Sequence, residues 1–388
     1  MFEMNPAAEG LRFPTRAEVE AIIQDIETSE DMKAKESAYF LQSRYFPSRN
    51  IMGTEIEIYA MENGYDSGMT YFHTLGTEPR TISRPEGLAA KKTTWRGAHF
   101  KEAAFWGEHE ILEIASMAPQ LRPVTIQTEI ADAVAGMLLR QKRRIEWLAA
   151  QVLTTGGITV TKDLPDNPEG VAYTVDYMLY DPTITLTNKW DAKDQNGESL
   201  ENPIKFFRDL DDEARTGDYP QYRPREILVT SNFWKVLREN TLFWKTWYQY
   251  NAIPTEDVRE RRPEWFYDDE FVARAFRTMV PNITVTVNDT GYREADGTFK
   301  QFIPDDHMTI IYGDGPVGEF TFTAHVHSDG GRVRIGTGPY SFVDNGLMKP
   351  NPYYSIVRGF HGLPRIKSYD PRTLKSHKLR FVKYATAA

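Results

Sequence analysis

His325 and His327 stand two apart in the run Ala324-His325-Val326-His327. On a strand that spacing turns both imidazoles to one face, as a zinc pair requires. His307, beside Asp305 and Asp306, is the further group that would complete such a site. Without a clear third ligand, the pair reads more simply as two strand residues. His109-Glu110-Ile111-Leu112-Glu113 falls one residue short of H-E-x-x-H, because Glu113 stands where the second histidine belongs. Gly313-Asp314-Gly315-Pro316-Val317-Gly318 fits G-x-G-x-x-G, but dinucleotide binding needs a helix directly after the glycines. A strand pattern, Glu319–Thr323, follows instead, so the glycines read as a tight turn. The acid pairs Asp211-Asp212, Asp268-Asp269 and Asp305-Asp306 read as solvated or helix-capping pairs. No P-loop, nucleophile elbow or kinase signature is present. No catalytic residue, metal ligand or cofactor is therefore assigned.

The basic residues Arg80, Arg84, Lys91, Lys92 and Arg96 have a stronger claim to function. They lie in a Gly-, Pro- and Thr-rich stretch, 76–98, between two strand-like runs. A basic loop of this kind suits an acidic surface on a neighbouring molecule. One exposed ion pair is worth about 0–1 kcal/mol, but many identical contacts in a closed assembly add up through multivalency.

The elements that would carry these residues are legible from periodicity. Thr15 and Glu18 have capping-box spacing. Val19, Ile22, Ile23 and Ile26 follow at helical spacing, predicting a helix over 16–28 whose stripe is covered either by its own domain or by a neighbour. A second helical stretch is predicted over 30–44. Residues 53–110 read as a long two-stranded projection. Ile126, Ile130, Val134, Leu138, Ile145, Leu148 and Val152 form one stripe over 125–154, a rod of roughly 42 Å stopped by Gly156-Gly157. Its Arg140, Lys142, Arg143, Arg144 cluster reads as a solvated face or a contact with DNA or an acidic neighbour. Further strands are predicted at 158–162, 173–180, 184–187, 226–230, 283–287, 308–312 and 319–327, with helices at 203–216 and after 231. Residues 241–280 look mainly helical. The end, 354–384, has strand character broken at Pro364 and Pro371.

Composition narrows the function. The 388 residues include no cysteine, which removes disulfides, thiolate metal sites and cysteine nucleophiles. The formal net charge is −9, against the basic balance typical of specific nucleic-acid binding. No apolar run of roughly 18 residues occurs, and the first twenty residues lack a signal-peptide pattern, so no membrane partner is expected and the chain is expected to act in a cytoplasm. Aromatic residues make up 13%, enough to supply both a large core and interfaces.

Taken in order, these segments resemble the lambda-type (E family) major capsid proteins, which have the HK97 fold. The resemblance is carried by Phe40–Met61, by 81–110, and by the rod at 125–154 with the strand after it. It continues through Trp190 before a polar linker, Glu226–Thr230 with Asn232-Phe233-Trp234, Phe302–Asp306 before a strand, and Leu363-Pro364 with Tyr369-Asp370-Pro371. It implies an α+β chain with an N-terminal arm (1–48) and an E-loop (49–112). A peripheral domain (113–190 and 346–388) would hold the long spine helix, and an axial domain would span 191–345. It further implies hexamers and pentamers of one chain closing an icosahedral shell around phage DNA, which is touched non-specifically. Scaffold, portal and decoration proteins would be further partners. The arm and the E-loop would reach neighbouring subunits, making Val19, Ile22, Ile23, Ile26 and the five basic residues contact candidates. Deleting residues 1–28 is then expected to leave a folded chain that no longer closes shells, and no covalent cross-linking is expected. The alternatives are an encapsulin-like shell, which would carry a cargo enzyme, and a metal hydrolase built on His325 and His327.

Overall fold

A computed structural model describes residues 11–60, 91–162, 172–216, 223–251, 268–294, 297–329, 332–367 and 375–386. In chain order the described elements begin with α1 (Arg16–Thr28), α2 (Glu30–Ser37) and α3 (Leu41–Tyr45). Strands β1 (Ser48–Asn50), β2 (Glu55–Ala60), β3 (Lys91–Arg96) and β4 (Ala98–Trp106) follow. Next come α4 (Glu108–Ser116) and the 34-residue α5 (Arg122–Thr155), about 51 Å long. Then come β5 (Gly157–Val160), β6 (Tyr173–Asp176), β7 (Thr183–Ile184), α6 (Pro203–Thr216), β8 (Pro224–Val229), α7 (Asn232–Glu239), α8 (Thr241–Tyr250) and α9 (Asp269–Met279). The remainder is strand: β9 (Thr284–Val287), β10 (Gly291–Arg293), β11 (Phe299–Gln301), β12 (His307–Tyr312), β13 (Gly318–Phe322), β14 (Ala324–Asp329), β15 (Arg332–Thr337), β16 (Tyr340–Asn345), β17 (Tyr354–Ile366) and β18 (Leu379–Lys383).

The chain divides into two compact units, each made of separated segments. The first comprises 1–56, 95–150 and 319–365. Its sheet runs β1-β13-β17-β16, with β4 also on β17. The α5 residues Ile126, Ile130, Val134 and Leu138 share one core with Val19 and Ile23 of α1, Ile111 and Ile114 of α4, and the sheet residues Trp106, Tyr354 and Ile356. Burying each such aliphatic side chain is worth about 1.5–3 kcal/mol, so this stripe is what fixes the rod. The Thr15 capping box forms as its spacing predicts: Glu18 Oε2 accepts the Thr15 N–H at 2.7 Å, and Thr15 Oγ1 accepts the Glu18 N–H at 3.5 Å.

The second unit comprises 57–94, 151–318 and 366–388. Its five-stranded sheet runs β7-β18-β12-β8-β9, and the central β12 is buried along its whole length. Helices α6, α7, α8 and α9 pack on it through an aromatic core. Trp190 meets Phe207 at 5.8 Å between ring centroids, Phe207 meets Phe276 at 5.2 Å, and Phe233 meets Tyr384 at 5.7 Å, all tilted or edge-on. A large part of the aromatic content is thus spent on this interior.

Several predicted elements take a different course. The helix expected over 30–44 breaks between Ser37 and Leu41, because the backbone N–H groups of Leu41 and Gln42 are taken by the Glu146 carboxylate instead of continuing the helix. Of the two-stranded projection expected over 53–110, β2 and β3 pair with each other, whereas Ala98–Trp106 pairs antiparallel with β17 in the sheet, and residues 61–90 lie outside the described residues. The strand expected over 319–327 is split at Thr323 into β13 and β14, which belong to different sheets. Pro364 does not break β17, which runs through it from Tyr354 to Ile366; it lies beyond the residues paired with β4 and β16, on the part of the strand that neighbours β13. Helix α5 begins three residues earlier than predicted, with Pro123 in its first turn, where no N–H is needed. Residues 69–75 and Pro371 lie outside the described residues.

Candidate subunit interface

Arg80 and Arg84 lie outside the described residues. Lys91 and Lys92 open strand β3, and Arg96 closes it with an exposed side chain. On α1, Val19 and Ile23 are 2% and 8% exposed, and Ile22 and Ile26 pack partly buried against the same core. Of the two coverings left open by the sequence, the chain itself supplies this one. Polar contacts hold the segment as well. Arg358 of β17 donates to Glu27 at 2.9 Å, Gln141 at 2.7 Å and Ser341 at 2.9 Å, and Tyr354 donates its hydroxyl to the Pro14 carbonyl at 2.9 Å.

Residues 39–46 are fastened to α5 by a buried acid. Glu146 is fully buried, and its two oxygens accept the N–H groups of Leu41 at 2.5 Å and Gln42 at 3.0 Å. Burial pushes its carboxyl above the ordinary range, and the two N–H donors pull part of the way back. One turn earlier, Arg143 donates to the Tyr39 hydroxyl at 3.0 Å. The rest of the basic cluster also serves its own chain. Arg140 pairs with Glu102, and Arg144 lies over the rings of Phe100 and Trp147 at 5.6 and 5.1 Å. Arg140 remains exposed beside Glu102, while Arg143 and Arg144 are partly buried against their own chain.

The metal and nucleotide motifs resolve into ordinary structure. Glu110 accepts the Gly107 N–H at 3.0 Å, capping α4. Asp268 accepts the Glu270 N–H at 3.0 Å, capping α9. Gly313 and Gly315 take φ of +69° and +78°, so the glycine run is a turn between β12 and β13. His307 is buried on β12, and the cost of desolvating its charge pushes its pKa down to about 4. Among the described residues, no three His, Asp or Glu side chains gather as metal ligands would.

Sequence reasoning missed the β14–β15 hairpin. In its register Val326 faces Ile335, and Val333 faces Ser328 two residues along on the same face. Val326, Val333 and Ile335 are 64%, 76% and 63% exposed. A lone two-stranded hairpin is marginal in water, and three bare β-branched side chains on one face add to the cost. The signal was the alternation Arg332-Val333-Arg334-Ile335 after the turn residues Asp329-Gly330-Gly331, a strand pattern with no core to face.

Residues 28–336 match the family model of phage major capsid protein E. This chain belongs to that family. A prophage capsid protein from E. coli CFT073 superimposes with a TM-score of 0.51 at 15% identity, covering 96% of this chain and 100% of the other. The capsid of Myoviridae phage XM1 aligns at 13% identity and a TM-score of 0.42, over 89% and 92% of the two chains. An encapsulin from Synechococcus elongatus PCC 7942 aligns at 6% identity and a TM-score of 0.37, over 90% and 87%. The mixed helix and sheet architecture is the HK97-like capsid fold. A capsid protein E chain is a structural subunit of the virion shell and acts by associating with copies of itself.

Proposed function

We propose that this chain closes an icosahedral shell around double-stranded phage DNA as hexamers and pentamers, and that it has no catalytic activity. The observation that carries the reading is the hairpin face of Val326, Val333 and Ile335, apolar and bare in the single chain. A neighbouring subunit is the surface that would cover it. The peripheral domain expected at 113–190 and 346–388 corresponds in part to the unit of 1–56, 95–150 and 319–365, and the axial domain expected at 191–345 to the unit of 57–94, 151–318 and 366–388; 151–190, 319–345 and 366–388 fall on the other side of that division.

The β2–β3 ribbon is the E-loop, and Arg80, Arg84, Lys91, Lys92 and Arg96 meet acidic groups on an adjacent subunit. The stripe of α1 stays on its own chain, so the arm offers a neighbour its polar face rather than Val19, Ile22, Ile23 and Ile26. The net charge of −9 suits a wall that contacts packaged DNA without gripping it. Assembly takes place in the host cytoplasm, with scaffold, portal and decoration proteins as further partners.

Negative-stain microscopy of full-length protein carrying Val333→Asp tests the reading. A folded subunit that yields few or no closed particles is expected. Normal particles in normal yield would overturn the hairpin's role.

A further inference from the structure

Four rings from four strands meet where the β14–β15 hairpin leaves the body of its unit. His99 is on β4, His325 on β14, Tyr340 on β16 and His361 on β17. The His99 and His361 ring centroids are 3.9 Å apart, and those of His325 and Tyr340 are 4.1 Å apart and stacked. His361 stands 5.8 Å from His325 and 5.6 Å from Tyr340 by the same measure. We propose that this cluster is a pH-operated hinge: protonation below neutrality loosens the hairpin and weakens the contact it makes with a neighbouring subunit. The proposal rests on the reading of the hairpin as a subunit contact.

The polar geometry suits neutral imidazoles. His361 Nε2 lies 3.1 Å from His99 Nδ1 and 3.4 Å from the Tyr340 hydroxyl, and His361 Nδ1 lies 3.4 Å from the Ala324 carbonyl oxygen. With Nδ1–H donating to Ala324, Nε2 keeps a lone pair that accepts from His99 or Tyr340. A proton on His361 Nε2 takes the lone pair that accepts here and leaves an N–H facing His99 Nδ1 across 3.1 Å.

Among the described residues, the charged groups that act on His361 add to that charge. From β4 comes Lys101, a second cation, whose ammonium sits over the Phe342 ring of β16 at 5.2 Å. From β16 comes Tyr340, whose hydroxyl is held above its ordinary pKa by burial and stays neutral. From β14 comes the buried His325 ring, and from the end of β13 comes Thr323, whose N–H donates to the His361 carbonyl. Burial, then His99, then Lys101 hold His361 below its ordinary value, partly offset by the Ala324 carbonyl. The packing therefore favours the neutral ring. Its contribution is complete above about pH 6.5 and is lost as pH falls from there through the lowered value.

The hairpin is well placed to feel this. Ala324 and His325 are the first two residues of β14, and β14 and β15 form a two-stranded sheet of their own. At its root the hairpin is held by the Ala324 N–H donating to the Gly53 carbonyl at 3.0 Å, by the His361 contact with the Ala324 carbonyl and by the His325–Tyr340 stack, and the last two involve the cluster.

Hydrogen exchange over 324–337 in the full-length unassembled chain, corrected for intrinsic rates, is the test. Wild type is expected to exchange about tenfold faster at about pH 5.5 than at pH 7.5, with particles dissociating over the same range. His361→Gln is expected to flatten the response, and so is His99→Gln, whose exposed position makes it safe for folding. A wild type with no such change, or a His99→Gln variant with the full change, would overturn the hinge. The response is expected to persist in EDTA; its loss there would make the cluster a metal site and overturn the proposal equally. Failure of the underlying hairpin reading is seen separately, as normal assembly of Val333→Asp at pH 7.5.

Discussion

Val326 stands directly opposite Ile335 across the β14–β15 ladder, and both face solvent although each is a residue type that cores favour. Replacing either with Asp removes little packing from the single chain, so its melting temperature should move by no more than a few degrees. Placed against a neighbour's surface, the same carboxylate would be desolvated without a partner, at about 1–3 kcal/mol per contact. Assembly yield should therefore collapse while the subunit melts normally, as sedimentation velocity and thermal unfolding would show together.

Glu146 is the converse case, a charge whose whole role is internal. Glu146→Ala leaves the Leu41 and Gln42 N–H groups buried and unpaired and should cost about 1–3 kcal/mol in denaturant unfolding. Glu146→Gln keeps an accepting oxygen and should cost less. Because burial raises the folded-state pKa, the wild-type group contributes most below the ordinary carboxylate range, and that contribution is lost as pH rises through the raised value. The Gln variant should lack this dependence.

The burial of α1 changes what truncation should do. Ile23→Ala empties a site that is 8% exposed and should cost about 2–5 kcal/mol. Deleting residues 1–28 removes Val19, Ile22, Ile23 and Ile26 from the core and Glu27 from Arg358. The expected outcome is a destabilised first unit, read as a lowered melting temperature, and not a fully stable subunit that merely fails to assemble.

His307 gives the second unit its own acid sensitivity. Its pKa is pushed down to about 4 by burial, with Asp306 pulling up and Lys383 pushing down. Stability from the neutral ring is complete above about pH 6.5 and should fall by something on the order of 3 kcal/mol by pH 4. In His307→Gln that part of the pH profile should be flat, as measured by urea unfolding across the range.

What could be read from the sequence was what local patterning dictates. The Thr15 cap, the seven-residue stripe of α5 and the helix at 203–216 all follow from spacing within one element. The break before Leu41 was not legible, because its cause is Glu146, more than a hundred residues away. Nor was the change of sheet at Thr323, since alternation continues unbroken through it and the neighbouring strands decide where each half pairs. The histidines at 325 and 327 drew attention as a pair, yet the partners His325 meets are His361 and Tyr340, brought in by sheet pairing. The bare hairpin face was missed for a related reason: an apolar strand pattern reads as core until the fold shows that nothing covers it.

Copies of this chain are expected to cover one another's exposed surfaces. Electron microscopy and sedimentation of the purified full-length protein over a range of concentrations address it most directly. Closed hollow particles of uniform size, built from this chain alone or with a scaffold, are expected. A compact monomer at every concentration, with no particles in either case, would contradict it.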